Sequence, residues 1–191
     1  MATFISHPVF GIGASYILSQ SKAQEVSKLF ISLSMICQWL PDIDTFAYLF
    51  RIDEQHPLGH RGMAHSGVFA LALAWAVMAR FYRPLKSNRL RWWGYYTWFF
   101  LMTISHGLFD ALVDSSLGVA FFWPFHTERY LFAWRPLMDA PIRFAEFFHW
   151  QFWQAQWVEC QFFSFLLASI YISHRLWQNY YNRPLAPVPP P

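Results

Sequence analysis

At 191 residues the chain is the size of one domain, and it is 55% hydrophobic and 21% aromatic but only 13% charged, against roughly 25% charged in an ordinary soluble domain. That deficit points to lipid, and the mean hydropathy of +0.21 understates it, because Trp, Tyr and Pro score poorly yet are at home in membrane proteins. The net charge of +3 is spread along the chain with no basic run interleaved with polar residues, which argues against nucleic-acid binding.

The N-terminus, MATFISHPVFGIGASYILSQ, lacks the basic region and cleavage site of a signal peptide and reads as retained. Apolar runs at Phe4–Ser19, Leu29–Leu40, Ser66–Phe81, Tyr95–Leu112 and Phe162–Leu176 are the candidate spanning helices, several of them shorter than the roughly 20 residues a bilayer asks for. The third, SGVFALALAWAVMARF, is apolar on all sides and closed by Arg80, Arg83 and Pro84. The expected fold is therefore all-α, a polytopic membrane bundle of about five spans. Alternating spans would put Lys22, Lys28, Arg80, Arg83, Lys86, Arg89, Arg91, Arg175 and Arg183 on one side, cytoplasmic by the positive-inside rule.

Between Val113 and Gln161 lies a long aromatic stretch broken by Pro124, Pro136 and Pro141, expected to lie in the membrane interface or to form a lid. Cys37 and Cys160 sit in apolar segments without a partner at ligand spacing and read as buried, inert thiols. Residues 1–183 are expected to form a single membrane-embedded helical domain, and the Pro-rich residues 184–191 a disordered tail.

Ionisable groups beside apolar spans need partners or a purpose. His7 opens the first run, and Asp42 and Asp44 stand in PDID, where Pro41 ends the second. His60 and His65 stand in HRGMAHS, leading into the third, and His106 and Asp110 lie one helical turn apart on the same face of the fourth. In the alternating arrangement all seven face the non-cytoplasmic side. Imidazole and carboxylate are the usual ligands of zinc and related hydrolytic metals, and this many ligands is compatible with a binuclear site.

Blander readings stand beside each element. His7 suits a cap or a core position, PDID a helix stop with interfacial charge, and His106 with Asp110 a buried hydrogen-bonded pair. His60 and His65, five residues apart, do not share a helical face, and Gly59 and Gly62 suggest a bent loop. Arg61 suits either a clamp for phosphate or an oxyanion or a structural partner of Asp42, Asp44 or Asp110. His126 reads as a further polar group near the site, and Asp114 as solvated or peripheral to it.

Taken together, His7, PDID at 41–44, HRGMAHS at 60–66, HGLFD at 106–110 and WPF at 123–125 resemble the YdjM-like family of bacterial inner-membrane proteins assigned as metal-dependent hydrolases. The resemblance runs from His7 to about Phe125 and implies metal ligation by Asp42, Asp44, His60, His65, His106 and Asp110, with His7. Ala64 stands where that family usually has Thr, a change expected to cost no more than a hydrogen bond behind the ligands. The expected function is hydrolysis of an ester or phosphoester of a membrane lipid or other amphiphile by a metal-activated water, with zinc the expected metal, Arg61 stabilising charge and Asp44 orienting the water or accepting its proton. The alternative is a metal-binding membrane protein without catalysis: a sensor, chaperone or transporter.

Overall fold

In the computed structural model, residues 5–20, 28–83, 87–115, 117–140 and 148–181 are described. Among these residues five α-helices carry the fold: α1 (Ser6–Ser19), α2 (Lys28–Trp39), α3 (Gly67–Phe81), α4 (Arg89–Asp110) and α5 (Trp150–Tyr181). Pro8 is tolerated because it falls in the first turn of α1, where backbone N–H groups have no partner within the helix. Pro41 follows α2, and the chain tightens there into a 3-10 helix over Leu40–Phe50 that stops at Arg51 in the left-handed region, φ 54°. Ser66 caps α3 by accepting from the Phe69 N–H at 3.1 Å, and Asn88 caps α4 by accepting from Arg91 N–H at 3.2 Å.

The core lies where all five helices meet, with Phe10, Cys37, Ala74, Phe99 and Phe163 buried. Helix α1 lies close against α2 because Gly11 has no side chain; a Cβ there would stand 2.9 Å from the Ser34 carbonyl oxygen. Phe109 of α4 packs edge-on against Phe10 of α1 and Phe163 of α5, with ring centroids 5.0 and 4.9 Å apart. The same aromatic group contacts the His7 ring, 5.9 Å from Phe109 and 5.8 Å from Phe163, so the core and the polar cluster share a wall. A buried contact between the Ser6 hydroxyl and the Glu159 carboxylate also joins α1 to α5.

After α4 the chain leaves helical structure. Strands β1 (Val113–Asp114) and β2 (Leu137–Met138) form a two-residue parallel pair, Val113 opposite Leu137. Between them, residues 117–130 run over the loop that precedes α3. Ala120 N–H donates to the Arg61 carbonyl at 3.0 Å, Gly67 N–H donates to the Phe121 carbonyl at 2.9 Å, and Val119 pairs antiparallel with Tyr130.

These helices correct the expectation of a five-span polytopic bundle. Each apolar run does fall largely within a helix, but no helix among the described residues is long and apolar enough to cross a membrane. The 14, 12 and 15 residues of α1, α2 and α3 rise only about 18–23 Å at 1.5 Å per residue, against a hydrocarbon core of about 30 Å. Helices α4 and α5, with 22 and 32 residues, are long enough but not apolar enough. Arg89 and Arg91 open α4, and Gln151, Gln154, Gln156, Glu159 and Gln161 punctuate the first half of α5. The alternation of loops between two sides, and with it the placement of the cluster on a periplasmic face, loses its support.

The aromatic stretch holds both strands, its residues 117–130 cover the loop before α3, and α5 begins within it at Trp150. Of the two thiols, Cys37 is buried but Cys160 is exposed, because it lies on the face of α5 turned from the bundle. The proline-rich tail lies outside the described residues.

Candidate metal centre

Four segments bring the polar residues together. The turn from α2 into the 3-10 helix carries Asp42 and Asp44, and the loop before α3 carries His60, Arg61 and His65. Helix α4 supplies His106 and Asp110, and α1 supplies His7. The α3-leading loop bends tightly because Gly59 and Gly62 have no side chains; a Cβ at Gly62 would stand 2.3 Å from the Pro57 carbonyl oxygen. Arg61 takes the left-handed conformation, φ 59°, which is uncommon for a residue with a side chain. Its backbone N–H donates to Asp44 Oδ2 at 3.1 Å and its carbonyl accepts from Ala120.

Within this cluster, Asp42, His65, His106 and Asp110 offer donor atoms that all lie within 4.8 Å of one another, and Asp44, His60 and His65 form a second such group. His65 Nε2 is 3.1 Å from His106 Nε2 and 3.2 Å from Asp110 Oδ2, and His106 Nε2 is 3.4 Å from Asp42 Oδ1. His7 stacks on His106 with centroids 4.1 Å apart, and its Nε2 lies 3.7 Å from Asp110 Oδ1. All of these residues except the partly buried Asp44 are buried, Asp42, His106 and Asp110 at 1%, 0% and 0% exposure.

The hydrogen-bonding pattern decides which atoms carry lone pairs. His106 Nδ1 lies 2.6 Å from the Gln38 carbonyl oxygen; a carbonyl only accepts, so Nδ1 carries the hydrogen and a neutral ring presents a bare Nε2 to the cluster. His65 turns Nδ1 to Asp44 Oδ2 at 2.9 Å, off the ideal hydrogen-bond line, and likewise presents Nε2. Two nitrogen lone pairs 3.1 Å apart repel unless a cation or a proton lies between them. Both Asp42 oxygens, Asp110 Oδ1 and both His7 nitrogens also make no hydrogen bond, which is costly for buried polar atoms. With His65 deprotonated, three carboxylates and one guanidinium, Arg61, leave two negative charges in this interior, the charge of one divalent cation. The donor set therefore fits a metal ion.

The charges also perturb one another. Burial would raise the Asp110 pKa, yet Arg61, with its Nε 3.3 Å from Oδ2, and then His65 and His7 hold it well below the carboxylate range. Burial is likewise overcome at Asp42 by His106, and at Asp44 by His65 and His60, so both are lowered. Burial alone would lower His65, but Asp44 and then Asp110 outweigh it and push its pKa up to about 10. Burial lowers His7, with His106 adding to the effect. These are the shifts of a cluster whose carboxylates stay ionised and draw in positive charge.

A model of the YdjM inner membrane protein family matches residues 1–182. The chain belongs to the YdjM inner membrane protein family. A curated relative, the inner membrane protein YbcI of Escherichia coli (strain K12), is 28% identical over 113 residues, a match covering 59% of this chain and 64% of the relative. The chain thus spans a little under two thirds of that relative's length. No solved structure matches.

For this YdjM-family chain, the structure brings all seven candidate ligands of the sequence reading into one cluster, with Arg61 among them. His7 is fully buried beside His106. The structure does not bring in His126, which is exposed, or Asp114, which is exposed and pairs with Arg135 at 3.4 Å. Two supporting residues escaped the sequence reading. Gln38 contributes its carbonyl to His106 and its side-chain amide to Ser105 Oγ at 2.7 Å; a glutamine inside an apolar run, one turn before Asp42, was the available signal. Arg129, in the aromatic stretch, donates to the carbonyls of His60 and Gly118 at 2.9 and 3.3 Å and to those of Glu54 and His56 at 2.5 and 3.4 Å. It thereby ties the ligand loop to the segment that covers it, a role with no mark in the sequence.

Proposed function

We propose that this protein is a membrane-associated, metal-dependent hydrolase of an ester or phosphoester carried by a lipid or other amphiphile. The observation that carries the reading is the pair of inward-facing Nε2 atoms of His65 and His106, 3.1 Å apart between the Asp42 and Asp110 carboxylates. Asp42, His65, His106 and Asp110 would hold a divalent ion of the zinc type, which would supply an activated water and Lewis-acid polarisation of an ester or phosphoryl oxygen. The chain's own residues supply the rest. Arg61 Nε is paired with Asp110 and NH1 with the Leu117 carbonyl at 2.5 Å. That leaves NH2, which makes no hydrogen bond, as a donor for a developing oxyanion or a phosphoryl oxygen. The inner-membrane family and the exposed Phe165, Trp177 and Tyr180 of α5 support contact with lipid.

A second reading, a metal-binding protein without turnover, is favoured by the closure of the cluster. His60 and His65 are each 2% exposed and Arg61 1%, and a ligand set closed to solvent is the usual arrangement of a structural metal.

Elemental analysis of the purified protein, followed by a panel of lipid-ester and phosphoester substrates with and without chelator, tests the proposal. Stoichiometric metal with chelator-sensitive turnover is expected, and both should vanish in His65→Ala and Asp110→Ala. Turnover that survives either substitution would sink the mechanism. Stoichiometric metal with no turnover on any substrate would favour the second reading.

A further inference from the structure

The two ligand groups share His65, and their internal distances differ in a way that separates their roles. Neighbouring donors of a tetrahedral zinc ion, each about 2.0–2.1 Å from the metal, stand about 3.3–3.4 Å apart. Three contacts among His65 Nε2, His106 Nε2, Asp110 Oδ2 and Asp42 Oδ1, at 3.1, 3.2 and 3.4 Å, are of that size, and the diagonals His106 Nε2–Asp110 Oδ2 and His65 Nε2–Asp42 Oδ1 are wider, 3.9 and 4.0 Å. The contacts of Asp44 are shorter: Oδ1 lies 2.7 Å from His60 Nδ1 and Oδ2 lies 2.9 Å from His65 Nδ1. The first is a charge-assisted hydrogen bond, and the second is an ion-pair contact that misses hydrogen-bond alignment.

The lone-pair count agrees with the distances. A neutral imidazole has a hydrogen on one nitrogen and a lone pair on the other. His65 faces Asp44 with Nδ1 and the quartet with Nε2, so it cannot ligate an ion in both groups while neutral. Asp44 Oδ2 also accepts the Arg61 backbone N–H, which fastens the loop that carries both histidines. The His60 and His65 rings stand nearly perpendicular, 89°, on either side of this carboxylate.

We propose that Asp44 is a positioning residue: it holds His65 with Nε2 turned into the Asp42–His106–Asp110 site, buttresses His60, and does not itself ligate the ion. The proposal rests on the metal reading above and refines it. Carboxylates that orient metal-bound imidazoles in this way tune affinity by about 10–100-fold when replaced, rather than deleting the site.

Cobalt(II) titration of the detergent-purified, metal-stripped protein tests it, with the visible absorption of the bound cobalt as the readout. Wild type should bind one cobalt per chain. Asp44→Asn should still bind one, with about 10–100-fold weaker affinity and a shifted visible spectrum, and Asp44→Glu should recover part of the affinity. Asp42→Asn and Asp110→Asn should lose binding. Should Asp44→Asn fail to fold by circular dichroism, His60→Gln, which leaves all four proposed ligands in place, should keep the single cobalt. Two cobalt ions in wild type with one in Asp44→Asn or His60→Gln, or no cobalt in a folded Asp44→Asn, would overturn the positioning role while leaving the metal centre standing. No stoichiometric cobalt in wild type would overturn both.

Discussion

His65 and His106 come from a loop and a helix 41 residues apart in sequence, and their Nε2 atoms face each other at 3.1 Å. Each ring is turned by an acceptor behind it, Asp44 for His65 and the Gln38 carbonyl for His106. The contact is favourable only with a proton or a cation between the two nitrogens, so the centre is a competition between a metal ion and a proton for one position.

Removing either partner should therefore remove the ion. His106→Ala should lower metal affinity by more than the roughly 100-fold ceiling of changes behind the ligands, measured by competition against a chromophoric chelator. Affinity within 10-fold of wild type would place the ion elsewhere.

The competition also fixes the sign of the pH dependence. In the metal-free protein the His65 pKa is raised from 6.5 to about 10. Its contribution to stability is complete below pH 6.5 and is lost as pH rises through 10. Protons oppose metal binding, so the metal-loaded protein should gain stability as pH rises from about 6 to 8. Thermal unfolding with chelator and with excess zinc should show slopes of opposite sign between pH 6.5 and 8; slopes of the same sign would contradict the exchange.

Thiol labelling reads the helix packing. Burial pushes the Cys37 thiol up to about 12, and Cys160 is exposed. N-ethylmaleimide at pH 7.5 should add once to the native protein, at Cys160, and twice after denaturation. Rapid native labelling of Cys37 would mean that α2 does not pack as described.

Two glycines should respond to alanine in opposite directions. At Gly94, in the interior of α4, an added Cβ meets nothing within 4 Å, and Gly94→Ala should stabilise by about 0.5–1 kcal/mol. At Gly107, in the same helix beside the site, the Cβ would stand 3.2 Å from both the His65 carbonyl oxygen and the Phe121 ring. Gly107→Ala should destabilise by about 1–3 kcal/mol and weaken metal binding. Denaturant midpoints with metal affinities for both variants provide the check.

Arg129 should matter for loop order. Arg129→Gln removes the donors that hold four carbonyls between Glu54 and Gly118. Amide exchange should accelerate about 10-fold or more across residues 54–62, from the loss of roughly 1.5–3 kcal/mol per charged hydrogen bond, and stay unchanged in α2. Unchanged exchange at 54–62 would show that the glycine turns hold the loop alone.

The helices were legible because their apolar runs are long and bounded by Ser, Pro and basic residues: Ser66–Phe81 on sequence is Gly67–Phe81 in the fold. Their relation to a bilayer was not. Hydropathy weighs side-chain type, and the number of apolar residues that one uninterrupted helix commits is settled only when Pro41 tightens the chain after α2. The start of α5 was hidden for a similar reason, since Gln and Trp between residues 150 and 161 mask a helix that continues into the apolar run.

By itself the sequence marked the residues of the cluster, because His7, Asp42, Asp44, His60, His65, His106 and Asp110 stand within or beside apolar segments, where burial obliges ionisable groups to find partners. Only the tertiary structure decided how they divide. Which nitrogen of His65 faces Asp44, and which atoms stand about 3.2 Å apart rather than 2.7 Å, depends on the Gly59–Gly62 bend, the Gln38 carbonyl and the strand-linked segment over Arg61. Those are contacts between residues far apart in the chain, where neither periodicity nor motif spacing carries a signal.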